Sequence, residues 1–404
     1  MNVPVSKAKE HLYEIDLMRA LIILGVICVH VISFFNLFTV QMTGVNLRND
    51  AALTALHFTR EAFMFITGLV LFITYYGKPF NVKMFLGKRL KLIAIPYFAF
   101  TLLYMLFTQT YMPTPHLTLP LFLQNYGIAL LTGNQFFLYY LLISLQLYII
   151  FPWLLKFIKA TERYHGLLFG ISFALEIALM WFNKFYLQMP AGLHLPGLLG
   201  VLVNYRDRII ITYQFWFIAG ALVAVHYSKI KAILQKYVRF IPWILLFSFF
   251  AIGVHVAIDR LVQHQDESQT VLVLQPLMIP YSLLATVTLW SLGMAWSRVR
   301  LDSRFRQISR LIKTAAAASF GIFLIHPFFL HLVQVTIYRL HTTAAERVWL
   351  TPVAILFVYF SAMIVARLVA RIPYLSYIVG QKSTWHSQKK LPMQRGTVRE
   401  NTAS

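Results

Sequence analysis

Several ionisable side chains sit in apolar runs at spacings that suit chemistry. Arg19 and His30 are 11 residues apart in one such run. At 100° per residue they share one helical face, about 16 Å apart along the axis. Asp16 stands one turn before Arg19 and can pair with it, either as an ion pair near a helix end or as a substrate contact. His57, Arg60 and Glu61 follow at i, i+3 and i+4, so they also share a face. Histidine titrates near neutrality, and a cavity holding His30 with this cluster would suit general acid–base work. Arg60 would hold an oxyanion or orient a sugar there. The bland alternatives are a packing role for His30 and mutual neutralisation of Arg60 and Glu61. Glu176 is alone in the run SFALEIALMW, either protonated and hydrogen-bonded or lining a cavity. His326 precedes Pro327 in another apolar run, where a kink is expected.

The elements that must position these groups follow from composition. Of 404 residues, 59% are hydrophobic and 12% charged. A soluble domain is about 45–50% apolar and about 25% charged, so soluble and disordered classes are excluded. Ten runs are long enough to span a bilayer. They lie near 13–38, 52–76, 90–110, 136–157, 166–183, 210–227, 240–258, 272–296, 315–338 and 349–371. The shorter stretch 117–131, interrupted by Pro120 and Gly127, reads as re-entrant or interfacial. No cleavable signal peptide is visible, so the first run is expected to stay as a span. The expected class is an all-α polytopic membrane protein of about ten helices.

Loop charge sets the orientation, because cytoplasmic loops collect Lys and Arg. With these spans, 27 of the 36 basic residues fall on one side and 7 on the other. Both termini are then expected in the cytoplasm. The net charge of +22 is thereby read as a topology signal and not as a nucleic-acid footprint. Residues 1–380 read as one membrane domain and 381–404 as a basic, disordered tail. Cys28, the one cysteine, excludes an intrachain disulfide. The chain lacks a Walker A sequence, HExxH, GxSxG and a dinucleotide-binding glycine fingerprint.

Further segments carry a resemblance. Asp16-Leu17-Met18-Arg19, then ten residues and His30, resembles the opening signature of the acyltransferase 3 family of integral membrane O-acyltransferases. Phe63–Gly68, Lys88–Lys91 leading to Ile95-Pro96-Tyr97, Gly133–Tyr139 and Ser319–Pro327 are similar to family segments in the same order. The match covers about residues 12–380. Details, including the terminal Ile378–Gln381, resemble the branch of the intercellular adhesin polysaccharide protein, which modifies or exports poly-N-acetylglucosamine.

The resemblance implies transfer of an acetyl or succinyl group from cytoplasmic acyl-coenzyme A. The acceptor would be a hydroxyl of a cell-surface polysaccharide or lipid-linked sugar. His30 would be the acyl-transfer histidine and Arg19 its partner. Lys88, Arg89 and Lys91 would meet the donor phosphates, although lysine binds phosphate only as a point charge. Asp16, His57, Arg60, Glu61, Glu176 and His326 are the candidate substrate contacts. No permanently bound cofactor and no metal are expected. The expected setting is a bacterial plasma membrane, with membrane lipids and a polysaccharide synthase complex as partners. The competing class is an exporter or flippase of a surface polysaccharide. The Arg19–His30 signature favours the enzyme.

Overall fold

The computed structural model describes residues 11–188 and 196–381. Among them there is no strand, and long apolar helices dominate. Helices α1 (Tyr13–Asn36), α2 (Gly44–Leu56), α3 (Phe58–Tyr75), α4 (Val82–Gln109) and α5 (Leu119–Thr132) come first. They are followed by α6 (Tyr139–Ala160), α7 (His165–Phe182), α8 (Gly197–Asn204), α9 (Gln214–Val225) and α10 (Tyr227–Tyr237). The last third holds α11 (Ile241–Ala257), α12 (Glu267–Thr270), α13 (Met278–Val299), α14 (Arg306–Leu340) and α15 (Ala344–Arg371). By length and apolarity, 9 stretches of the described residues can cross a membrane, and 10 if the segments joined by a 95° bend before α10 form one span. The protein is an all-α polytopic membrane protein.

Local chemistry sets the helix ends. The hydroxyls of Thr43 and Thr118 and the Asn81 amide oxygen accept backbone N–H groups that open α2, α5 and α4. Gly133, in the left-handed region at φ 63°, ends α5 and turns the chain toward α6. A capping box of Thr343 and Glu346 starts α15.

Two boundaries differ from the sequence reading. The second span is preceded by α2, broken from α3 at His57, so apolar helix begins at Gly44. The basic segment Lys83–Lys91 is the first part of α4 and not a loop. Pro327 lies inside α14, a helix of 35 residues. The stretch expected to be interfacial is α5, a 14-residue apolar helix. The basic tail expected over 381–404 lies outside the described residues from 382 onward.

Helix α1 runs through the middle, packed against α3, α13, α14 and α15. The tightest seam joins α3 and α9. A β-carbon at Gly68 would fall 2.8 Å from the Phe217 carbonyl oxygen, and one at Gly220 would strike the Phe65 carbonyl. Single glycines thus let two backbones touch without any GxxxG pattern.

At the end of the bundle away from the start of α1, loops are tied by buried polar groups. Asn36 Nδ2 donates to Asp50 at 2.9 Å and to Glu267 at 2.8 Å. Arg260 pairs with Asp50 at 3.3 Å. Lys184 Nζ pairs with Asp259 at 3.0 Å and donates to Gln275 Oε1 at 3.0 Å, with both charges buried. Removing one partner of such a pair strands a buried charge. Lys184→Met is therefore expected to destabilise by about 3–5 kcal/mol, read as a lowered unfolding temperature in detergent. An unchanged temperature would show that Asp259 is satisfied without the lysine.

Candidate active site

Two cavities lie along α1. The first, of about 330 Å³, is walled by α1, α3, α4, α6 and α14. Arg19, Ile22, Ile23 and Val26 are its α1 face, one helical turn after another. Arg89 enters from α4, between the rings of Tyr75 and Tyr148, whose centroids lie 5.8 and 5.9 Å from its guanidinium carbon. The segment after α15 folds back beneath α14, so that Gly380 and Gln381 also line the space. Gln381 Nε2 donates to the Ala317 carbonyl at 2.8 Å. No carboxylate lines this cavity.

Arg19 makes no hydrogen bond or ion pair among the described residues, and Arg89 Nε has no hydrogen-bond partner. The pairing of Asp16 with Arg19 expected from their spacing is not formed. His11 Nε2 donates to Asp16 at 2.6 Å instead, which leaves Arg19 to the cavity. Of the expected donor-phosphate residues only Arg89 lines the space; Lys88 and Lys91 are exposed. At 100° per residue, positions 88 and 91 of one helix cannot share the direction of 89.

The second cavity, of about 390 Å³, lies further along α1 and takes Val26, Val29, His30 and Ser33 from it. His57 and Arg60 face it from the α2–α3 junction, and Glu267 and Val271 from the α11–α13 connection. The His30 ring stacks on Phe137 at 3.6 Å between centroids and 19° between planes. The His326 ring is nearly parallel to it at 5.4 Å. The sequence thus places Arg19 with the first cavity and His30 with the second, and the fold adds His57, Arg60 and His326 around His30.

Two candidates stand apart. Glu176 is buried between α7 and α9, where its Oε2 accepts from Gln214 Nε2 at 3.1 Å. It lines neither cavity. Glu61 is buried and makes no ion pair with Arg60 within 4.0 Å. Arg60 is gripped by tyrosines the sequence did not single out. Its Nε donates to the Tyr140 hydroxyl at 3.0 Å and its Nη1 to the Tyr213 hydroxyl at 3.2 Å. Tyr213 in turn donates to the Asp207 carbonyl at 2.8 Å. A cation without a carboxylate partner is expensive inside a membrane protein, and here it faces the space beside His30.

His326 shows how local backbone chemistry fixes a ring. Pro327 has no N–H, so the Phe323 carbonyl loses its normal i+4 donor. His326 Nδ1 takes that place at 2.7 Å. A carbonyl only accepts, so Nδ1 carries the proton and Nε2 is left as a lone pair. That Nε2 is buried without a partner. Pro327→Ala would return an N–H to the same carbonyl and release the ring. Any activity that uses this ring is then expected to fall about fivefold, the weight of a hydrogen bond of about 1 kcal/mol, with thermal stability equal or higher. Unchanged activity would show that the ring's orientation does not matter.

A family model described as an acyltransferase domain matches residues 12–371. The chain belongs to the acyltransferase 3 family. No curated protein and no solved structure matched it. The matched region takes in both cavities except the wall formed by Gly380 and Gln381. The protein is a membrane acyltransferase. The acyltransferase carries its Arg19 and His30 on one helix and its tyrosine-held Arg60 opposite them.

Proposed function

We propose that the protein transfers a short acyl group, acetyl or succinyl, from acyl-coenzyme A to a hydroxyl of a cell-surface polysaccharide or lipid-linked sugar. The carrying observation is that the cavity with Arg19 and Arg89 and the cavity with His30 and Arg60 adjoin at shared wall residues. Two cations that make no ion pair within 4.0 Å, in a cavity that no carboxylate lines, suit a phosphorylated donor there. Aromatic walls with histidine and arginine suit a hydroxylated acceptor in the second.

In the proposed reaction the acceptor hydroxyl gives its proton to His30 as its oxygen attacks the thioester carbonyl. A C–O bond forms and the C–S bond breaks. Arg60 meets the negative charge that develops on the carbonyl oxygen. The thiolate departs through the first cavity and is protonated by water there, while His30 returns its proton to water on the acceptor side. Charge asymmetry of the loops supports the first cavity opening to the cytoplasm, with both termini on that side. The setting we propose is a bacterial plasma membrane, with a polysaccharide synthase complex as neighbour.

The test is a strain lacking the gene, complemented with the wild-type protein, with acyl esters on the surface glycan measured by mass spectrometry. Acyl esters that vanish on deletion and return on complementation are the expected result. Loss of surface glycan with acylation unchanged would favour an exporter and sink this reading.

A further inference from the structure

The two cavities share only Val26 from α1, Thr59 from α3 and Tyr140 from α6. We infer that these side chains form a fixed aperture that selects the acyl group by its cross-section, admitting short unbranched chains. This rests on the proposed transfer from one cavity to the other.

The position follows from helix geometry. Val26 lies seven residues after Arg19 and four before His30. At 1.5 Å per residue the aperture is about 10 Å from the arginine and about 6 Å from the histidine along the axis. A thioester whose carbonyl reaches His30 must therefore pass its acyl group through this point. The acyl group and the unbranched thiol arm behind it pass, while the donor's phosphates stay with the arginines.

Rigidity makes the aperture selective. Valine in a helix keeps essentially one χ1 rotamer. Thr59 Oγ1 donates to the Leu56 carbonyl at 2.9 Å, which fixes its rotamer. Its Cγ2 sits 2.6 Å from where a β-carbon on Gly25 would be, so the methyl is seated against the backbone of α1. The Tyr140 hydroxyl accepts from Arg60 Nε, and its ring meets Phe63 and Phe323 edge-on at 6.2 and 5.9 Å. None of the three can swing aside without breaking a hydrogen bond or opening a packed seam. A wall of fixed apolar groups discriminates by about 10–200-fold per methylene.

The test uses inside-out membrane vesicles from the native host, which carry the acceptor, supplied with acetyl-, propionyl-, butyryl- or isobutyryl-coenzyme A. Transfer is read as the mass of ester groups on the glycan. For the wild type, the unbranched acetyl, propionyl and butyryl groups are expected to be transferred, with branched isobutyryl well below all of them. Val26→Ala should raise the isobutyryl-to-butyryl ratio about tenfold or more, while Val26→Phe should depress transfer from every donor. Thr59→Ser, which removes one methyl without adding bulk, should shift the ratio in the same direction as Val26→Ala. An isobutyryl-to-butyryl ratio identical in wild type, Val26→Ala and Thr59→Ser would overturn the aperture while leaving the acyl-coenzyme A reading intact. Absence of transfer from every donor by the wild type would overturn that reading, and the aperture with it.

Discussion

Replacing His30 by alanine is expected to lower acyl transfer by about 10²–10⁴-fold, the usual contribution of a positioned proton-transfer group. His30 is half-buried and faces the second cavity, so truncation removes the base with limited loss of packing. The variant should therefore reach the membrane at normal abundance and unfold within a few degrees of the wild type. Complementation of a deletion strain followed by mass spectrometry of the surface glycan reads the effect. His30→Gln keeps the volume and a hydrogen-bonding end but cannot take up a proton, and should be as inactive. Full acylation by either variant would remove His30 from the reaction and leave it a packing residue against Phe137.

Arg60→Lys should be nearly as damaging, by about 10²–10³-fold, although it keeps the charge. Two tyrosines hold the guanidinium through different nitrogens, Nε to Tyr140 and Nη1 to Tyr213. Its Nη2 makes no hydrogen bond among the described residues and is left for a ligand oxygen. A lysine ammonium is a single point and cannot bridge both hydroxyls while presenting a further donor. If Arg60 acts mainly on charge that develops in the transition state, kcat should fall and KM change little. A lysine variant with wild-type kcat would show that a positive charge suffices and that the tyrosine grip is structural.

Much of this architecture was legible in the chain, and the reasons are physical. Runs of about 20 apolar residues have few uses besides crossing a bilayer, so the spans could be read directly. The shared face of Arg19 and His30 needed only the helical repeat. What was hidden depends on contacts distant in sequence. The Arg60–Tyr140 and Arg60–Tyr213 bonds cross 80 and 153 residues. Glu267 reaches the second cavity from the start of α12, where it accepts from Asn36, 231 positions away. Local patterns also misled where two partners competed. Spacing offered Asp16 to Arg19, yet His11 takes it, and a basic cluster at Lys88–Lys91 sends only Arg89 inward. Glu176 left two readings open, and its bond to Gln214 shows how the buried group is satisfied.

The wall made by Gly380 and Gln381 bears on where this protein ends as a working unit. The family match stops at Arg371, the last residue of α15, yet the first cavity is finished by residues nine and ten positions beyond it. Gly380 adopts φ 66° with the Phe320 ring pressed against it, so that corner has no room for a larger residue. A chain trimmed at Arg371 keeps every span and loses the seal on one cavity.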